Sequence, residues 1–176
     1  MSEQTETKIT IRDYRRNDWA DVCRIHDLAR PAELQGSCDP RAFVPIEKDP
    51  EVEDLKGCRK FVACDGDQVV GFVGIDGSSL SWLYVDPAYQ GQGIGSQLLK
   101  LAVDKIGPKV WSIVLAGNAR ARRLYERFGF VEQSRYESSN AGYPCTCLHL
   151  ALMDEKPVTE QPEPEPNFYQ NGNGRV

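Results

Sequence analysis

Apolar and polar positions along this chain change period several times, and the changes mark its elements. Lys8–Tyr14 alternates with a period of two and predicts a strand. From Asp18 to Ala29 the period lengthens. Trp19, Val22, Ile25 and Leu28 or Ala29 fall on one helical stripe, and Pro31 is expected to end the helix. Residues 31–58 are polar and interrupted by Pro40, Pro45 and Pro50, which predicts a loop and one short helix. Arg59–Asp65 and Gln68–Asp76 read as strands joined by Asp65-Gly66-Asp67, a strong hairpin signal, and Asp76-Gly77-Ser78 leads into a third strand, Leu80–Val85. A helix from Gly93 to Ile106 follows. Its predicted core stripe is Ile94, Leu98, Leu101, Ala102 and Ile106, and Gly107-Pro108 stops it. The apolar run Val110–Ala116 predicts another strand. A helix ending at Gly129-Phe130 comes next, expected to bury Ala121, Leu124 and Phe128, and then strands at Phe130–Tyr136 and Cys145–Leu152. The order is β-α-α-β-β-β-α-β-α-β-β.

Composition places this pattern in one α/β domain over residues 8–153, within a chain of 176 residues that is 40% hydrophobic. Residues 1–7 are polar. Residues 154–176 combine Pro157, Pro162, Pro164 and Pro166 with acids and Asn-Gly repeats, a composition expected to stay disordered. Net charge is −5, but the tail holds five acids against two bases, so the rest of the chain is nearly neutral. A nucleic-acid surface would be basic, and this chain offers none. No apolar run reaches the ~18–20 residues that a membrane span needs, and the start lacks the basic and apolar regions of a signal peptide. A cytoplasmic protein with no membrane partner is expected. Six cysteines without C-x-x-C spacing fit free or buried thiols in a reducing compartment. Cys145, Cys147 and His149 share one strand face, yet no fourth ligand accompanies them, so no metal is expected; His149 remains a candidate for lining a pocket.

The candidate chemistry lies in Leu83-Tyr84-Val85-Asp86-Pro87-Ala88-Tyr89-Gln90-Gly91-Gln92-Gly93-Ile94-Gly95-Ser96, a strand, a proline turn, a glycine loop and a helix start. Such a loop lets backbone N–H groups approach an anion at the favourable end of the helix dipole. A P-loop would need a lysine after Gly95. A dinucleotide loop would need glycine where Ser96 stands, and an acid on the following strand. The spacing Gln-x-x-Gly-x-Gly fits, as Gln90-Gly91-Gln92-Gly93-Ile94-Gly95. A second block follows at Asn118, Tyr125, Gly129 and Phe130. Together these blocks resemble the GNAT superfamily of acetyl-CoA-dependent N-acetyltransferases.

The resemblance implies a mixed, mostly antiparallel sheet of six to seven strands flanked by about four helices. It implies that Gln90, Gly91, Gln92, Gly93, Ile94, Gly95 and Ser96 hold the diphosphate of acetyl-CoA, and that Leu83, Tyr84 and Val85 meet its pantetheine arm through main chain on a strand splayed from its neighbour. It also implies that Asn118, otherwise a helix cap, contacts the same arm. Helical spacing alone makes Tyr125 a core residue beside Leu124; the resemblance makes it the proton donor to the departing thiolate. The implied reaction moves acetyl to a primary amine by direct attack, with an amine acceptor, small molecule or protein, as second partner and room for a homodimer. Several branches carry a glutamate on the strand before the loop, whereas Leu80-Ser81-Trp82-Leu83-Tyr84 has none. Asp76, Glu33, Asp39 and His149 stay open as the base. Making an amine of pKa near 10.4 neutral at pH 7 takes about 4.6 kcal/mol, against ~1.4 for an α-amine near 8, so a missing base leans toward low-pKa amines or a water relay. A non-catalytic acyl-CoA-binding module is the alternative reading, and a nucleotide-dependent oxidoreductase or kinase a more distant one. One or two of the arginines on the second helix could meet the 3′-phosphate of coenzyme A, but the sequence does not select them.

Overall fold

The computed structural model describes residues 8–152; the expectations for the two chain ends lie outside it. The elements are β1 (Ile9–Asp13), α1 (Trp19–Leu34), α2 (Val52–Gly57), β2 (Arg59–Asp65), β3 (Gln68–Asp76), β4 (Ser79–Val85), α3 (Ile94–Ile106), β5 (Trp111–Leu115), α4 (Ala119–Arg127), β6 (Phe130–Asn140) and β7 (Tyr143–Leu152). They form one seven-stranded sheet in the order β1-β2-β3-β4-β5-β7-β6. All neighbours are antiparallel except β4 and β5. This is the mostly antiparallel sheet with four helices that the resemblance implies.

Strand alternation sorts the core onto the two sheet faces. Phe61, Ala63, Val73, Leu80, Val114, Leu148 and Leu150 pack with Ile94, Leu98, Leu99 and Ala102 of α3 and Tyr125 of α4. On the opposite face Val62, Cys64, Phe72, Trp82 and Tyr84 meet Val22, Ile25 and Ala29 of α1 and Leu55 of α2. Leu34, at the end of α1, packs with Leu115, Cys145 and Cys147, so the cysteine face of β7 is covered by a helix end. Leu99 is fully buried in α3, whereas Leu101 and Ile106 only flank the core.

Three element ends extend beyond expectation by two residues or more. Pro31 does not stop α1, which continues to Leu34. The lost N–H bond of proline is outweighed because the extra turn buries Leu34 completely and carries Arg30 and Glu33 into a buried polar network. The last hairpin is also longer than expected, with β6 running to Asn140 and β7 beginning at Tyr143 around Ala141-Gly142. Among the described residues, no helix is long and apolar enough to cross a membrane.

Candidate functional site

The sheet opens between β4 and β5. Ser79 with Trp111 is the one registered pair between them. Ser112 Oγ lies 2.8 Å from Leu80 O just beyond it. Past that point the two strands diverge. Asp86 N donates to Val70 O at 2.8 Å, and the alternation of an antiparallel ladder then turns the backbone groups of Tyr84 toward β3 and those of Leu83 and Val85 into the gap.

At the end of β4 the chain is aimed by Asp86. Its carboxylate accepts Ala88 N at 2.9 Å and Arg24 Nη1 at 2.7 Å, and Tyr89 OH donates to Asp65 at 3.0 Å. The turn delivers the glycine loop to the gap. Gly93 precedes α3 with φ +80, a left-handed conformation that glycine takes without strain, and supplies no side-chain cap. The first intrahelical bond is Gln97 N to Gly93 O, so the amides of Ile94, Gly95 and Ser96 have no partner within the helix. Three converging donors at the positive end of a 13-residue helix suit a diphosphate.

These features enclose a cleft of about 280 Å³. Its walls include Leu83, Tyr84, Val85, Gln90, Gly91, Gly93, Ile94, Gly95, Ser96, Asn118 and Tyr125, so eleven of the twelve sequence-selected residues meet there. Gln92 does not: it is exposed at the loop tip. Gln90 does more than lie in the loop. Its amide donates to Val85 O at 3.3 Å and accepts Arg120 Nη1 at 2.6 Å, linking β4 to α4. Arg120 and Arg127 are the α4 arginines on the wall; Arg122 instead donates to Ala116 O at 3.1 Å.

Asn118 caps α4, accepting Ala121 N at 3.2 Å. Gly117 before it must be glycine, since a Cβ there would strike Gly36 O and Ser37 Oγ. That close approach draws the end of α1 against the start of α4. Tyr125, rather than Ala121, Leu124 or Phe128, is the fully buried residue of α4; those three are half-buried. Its ring packs edge-on to Phe130 at 5.0 Å, and its hydroxyl lies 3.2 Å from Ser112 Oγ. Burial pushes the Tyr125 hydroxyl well above its ordinary pKa, while Ser112 pulls it back and the Glu33 charge adds to the rise. This proton is therefore held more firmly than that of a solvent-exposed tyrosine.

The four base candidates separate in space. Glu33 lines the cleft. Asp39 caps the Pro40–Ala42 turn and pairs with Arg41 at 2.7 Å, Asp76 is exposed at the end of β3, and His149 stands edge-on to Trp111 at 5.3 Å. None of these three is on the cleft wall. Among the described residues, no group of three or more His, Cys, Asp or Glu is placed to hold a metal ion. Sequence reasoning missed Arg24, Asp86 and Ser112, which build the site. Ser112 had one signal, a lone hydroxyl in an apolar strand.

A family model described as "Acetyltransferase (GNAT) domain" matches residues 56–132. The peptidyl-lysine N-acetyltransferase YjaB of Escherichia coli K12 is 31% identical over 119 residues, spanning 63% of this chain and 79% of that protein. The chain belongs to the GNAT family of N-acetyltransferases. YjaB of Salmonella typhimurium is 34% identical over 86 residues, 49% of this chain and 59% of that relative. The solution structure of apo YjaB from Escherichia coli superposes with a TM-score of 0.62 at 27% identity, covering 83% of this chain and 98% of that one. The Salmonella typhimurium protein yncA, solved with acetyl-CoA, shares the fold with a TM-score of 0.61 at 20% identity over 86% of this chain and 98% of its own. As a GNAT protein this chain is an acyltransferase of the acetyl-CoA-dependent class.

Proposed function

We propose that this protein transfers acetyl from acetyl-CoA to a primary amine by direct attack of the nitrogen on the thioester carbonyl. One observation carries the reading: the sheet opens between an amide-lined helix start and a buried tyrosine, along one continuous cleft. In this reading the amides of residues 90–96 receive the diphosphate, with Arg120 and Arg127 close enough to meet further phosphate charge. The backbone of Leu83 and Val85 pairs with the pantetheine arm in place of β5, and Asn118 contacts the same arm. Tyr125 returns a proton to the thiolate. Its high pKa keeps it protonated beforehand, and Ser112 Oγ stabilises the phenolate it leaves. A cytosolic setting suits the six cysteines, all free thiols here. That the relative YjaB is named for peptidyl-lysine supports an amine as acceptor.

A thermal-shift comparison followed by thiol release tests this. Acetyl-CoA at a hundredfold excess over Kd should add about 2.7 kcal/mol, or about 5–10 °C for a domain of this size, while NAD and ATP add nothing. A panel of amines should then release free thiol. Tyr125→Phe should keep the thermal shift and lose about 100-fold or more in kcat, the ordinary range for a missing proton donor. Stabilisation by acetyl-CoA with no thiol released for any amine would identify the non-catalytic binding module instead.

A further inference from the structure

We propose that Glu33 is the catalytic residue that receives the acceptor as an alkyl ammonium and takes its proton. The inference rests on the acyl-transfer reading above and names the group that β4 lacks. Among the residues lining the cleft, the charged ones are Glu33, Arg120 and Arg127. The two arginines belong to α4, toward the glycine loop. Glu33 belongs to α1, on another wall, and is the one carboxylate among the cleft-lining residues, so an incoming ammonium has a single anionic group to meet.

The carboxylate is built in rather than incidental. It is 7% exposed, and three elements hold it or its partner. Arg30 Nη1 donates to Oε1 at 2.6 Å, Tyr84 OH donates to Oε2 at 2.7 Å, and Arg30 Nη2 reaches Asn140 Oδ1 of β6 at 2.7 Å. Glu51 adds its charge to the surroundings of Arg30, and Tyr125 on α4 feels the charge of Glu33. A carboxylate has about four acceptor positions, and Arg30 and Tyr84 occupy one on each oxygen. A bond therefore remains for an ammonium coming from the cleft. Ala29 and Ala32 flank Glu33 on the wall and carry nothing beyond Cβ, which leaves width for an alkyl chain.

The proton count closes. The ammonium gives one proton to Glu33 and becomes a neutral amine. Its nitrogen forms a bond to the carbonyl carbon, the C–S bond breaks, and the thiolate takes the proton of Tyr125. The second nitrogen proton restores Tyr125, and Glu33 releases its own to water. With such a base, the lean toward low-pKa amines disappears, because a lysine-like amine, neutral in roughly one molecule in 2,500 at pH 7, gains far more from it than an α-amine at roughly one in ten.

The test compares Glu33→Gln with wild type on a lysine-containing peptide and on a peptide whose only amine is its N-terminus. At pH 7.5 kcat/KM should fall at least 100-fold for the lysine peptide and tenfold or less for the other, with the acetyl-CoA thermal shift unchanged. The lysine-peptide deficit should shrink toward pH 9.5, where the amine loses its own proton; a purely structural ion pair would not show that recovery. Because Glu33→Gln leaves Arg30 without its counter-ion, Glu33→Asp is run beside it. It keeps the charge beside Arg30, shortens the reach, and should lose at least tenfold on the lysine peptide while still showing the acetyl-CoA thermal shift of a folded protein. Equal losses on both peptides, or activity within threefold of wild type in whichever variant folds, overturn the role of Glu33 alone. Absence of thiol release by the wild type on every amine overturns the transfer reading and this inference with it.

Discussion

At the scale of single residues, charge is held in place by geometry that only the folded chain provides. Asp18 accepts Arg12 through both nitrogens at 2.8 and 3.0 Å and the Arg15 amide at 2.7 Å. The hydrogen bond from Arg12 is the largest cause holding its carboxyl below the ordinary value. A folded-state pKa below the unfolded value near 3.9 means that this stabilisation is complete above that pH and is lost as pH falls through the folded value. Asp18→Asn should therefore cost about 1–2 kcal/mol at pH 7. In urea unfolding, its gap to wild type should stay constant down to about pH 5 and close below about pH 4. A gap that persisted at pH 2 would show that packing rather than charge was lost. Glu33 and Ser112 belong to the same category. Neither carries a motif: Glu33 is distinguished by its place on a cleft wall built from α1, β4, α3 and α4, and Ser112 by its contact with the Tyr125 hydroxyl, and neither neighbourhood exists before those elements are in place.

At the scale of elements, local chemistry was readable wherever the chain closes on itself within a few residues. The bounds of β2 and β3 follow directly from Asp65-Gly66-Asp67, and Gly93 announces the start of α3. The end of α1 was not readable. A proline weighs against a helix locally, while the burial of Leu34 and the pairing of Arg30 with Asn140, 110 residues away, weigh for it only in the assembled fold. The end of α2 shows the same dependence. Its last carbonyls are taken by Lys60 from the following strand, whose ammonium donates to Leu55 O, Lys56 O and Cys58 O at 2.6–3.0 Å and sits 4.8 Å above the Tyr14 ring. Lys60→Met keeps the aliphatic stem and removes all three donors. It should destabilise by about 2–3 kcal/mol, the range for charge-assisted bonds, and should raise proteolysis at residues 52–58. An unchanged melting temperature would mean that water replaces the ammonium at no cost.

At the scale of the whole molecule, the order of elements was legible because hydrophobic periodicity is a local property repeated eleven times, whereas the sheet class was legible only through the family resemblance of the two sequence blocks. The cleft was legible only as a loop and a helix cap, since its shape depends on where two strands part. That parting has a topological consequence. Every strand on the β1 side of it comes from residues 9–85, and every strand on the β5 side from residues 111–152. Side-chain packing on both faces, through clusters joining α3 to β7 and Leu34 to Cys147, then holds the two halves together where sheet bonding does not. Severing the peptide bond between Gly107 and Pro108 would leave every antiparallel strand ladder intact within one fragment and divide only the short β4–β5 contact. The two purified pieces should recombine on mixing, and acetyl-CoA, which in the proposed reading contacts β4 from one and α4 from the other, should tighten their association just as it raises the melting point of the uncut chain. The protein would then act as a small-molecule-reinforced heterodimer made from a single gene product.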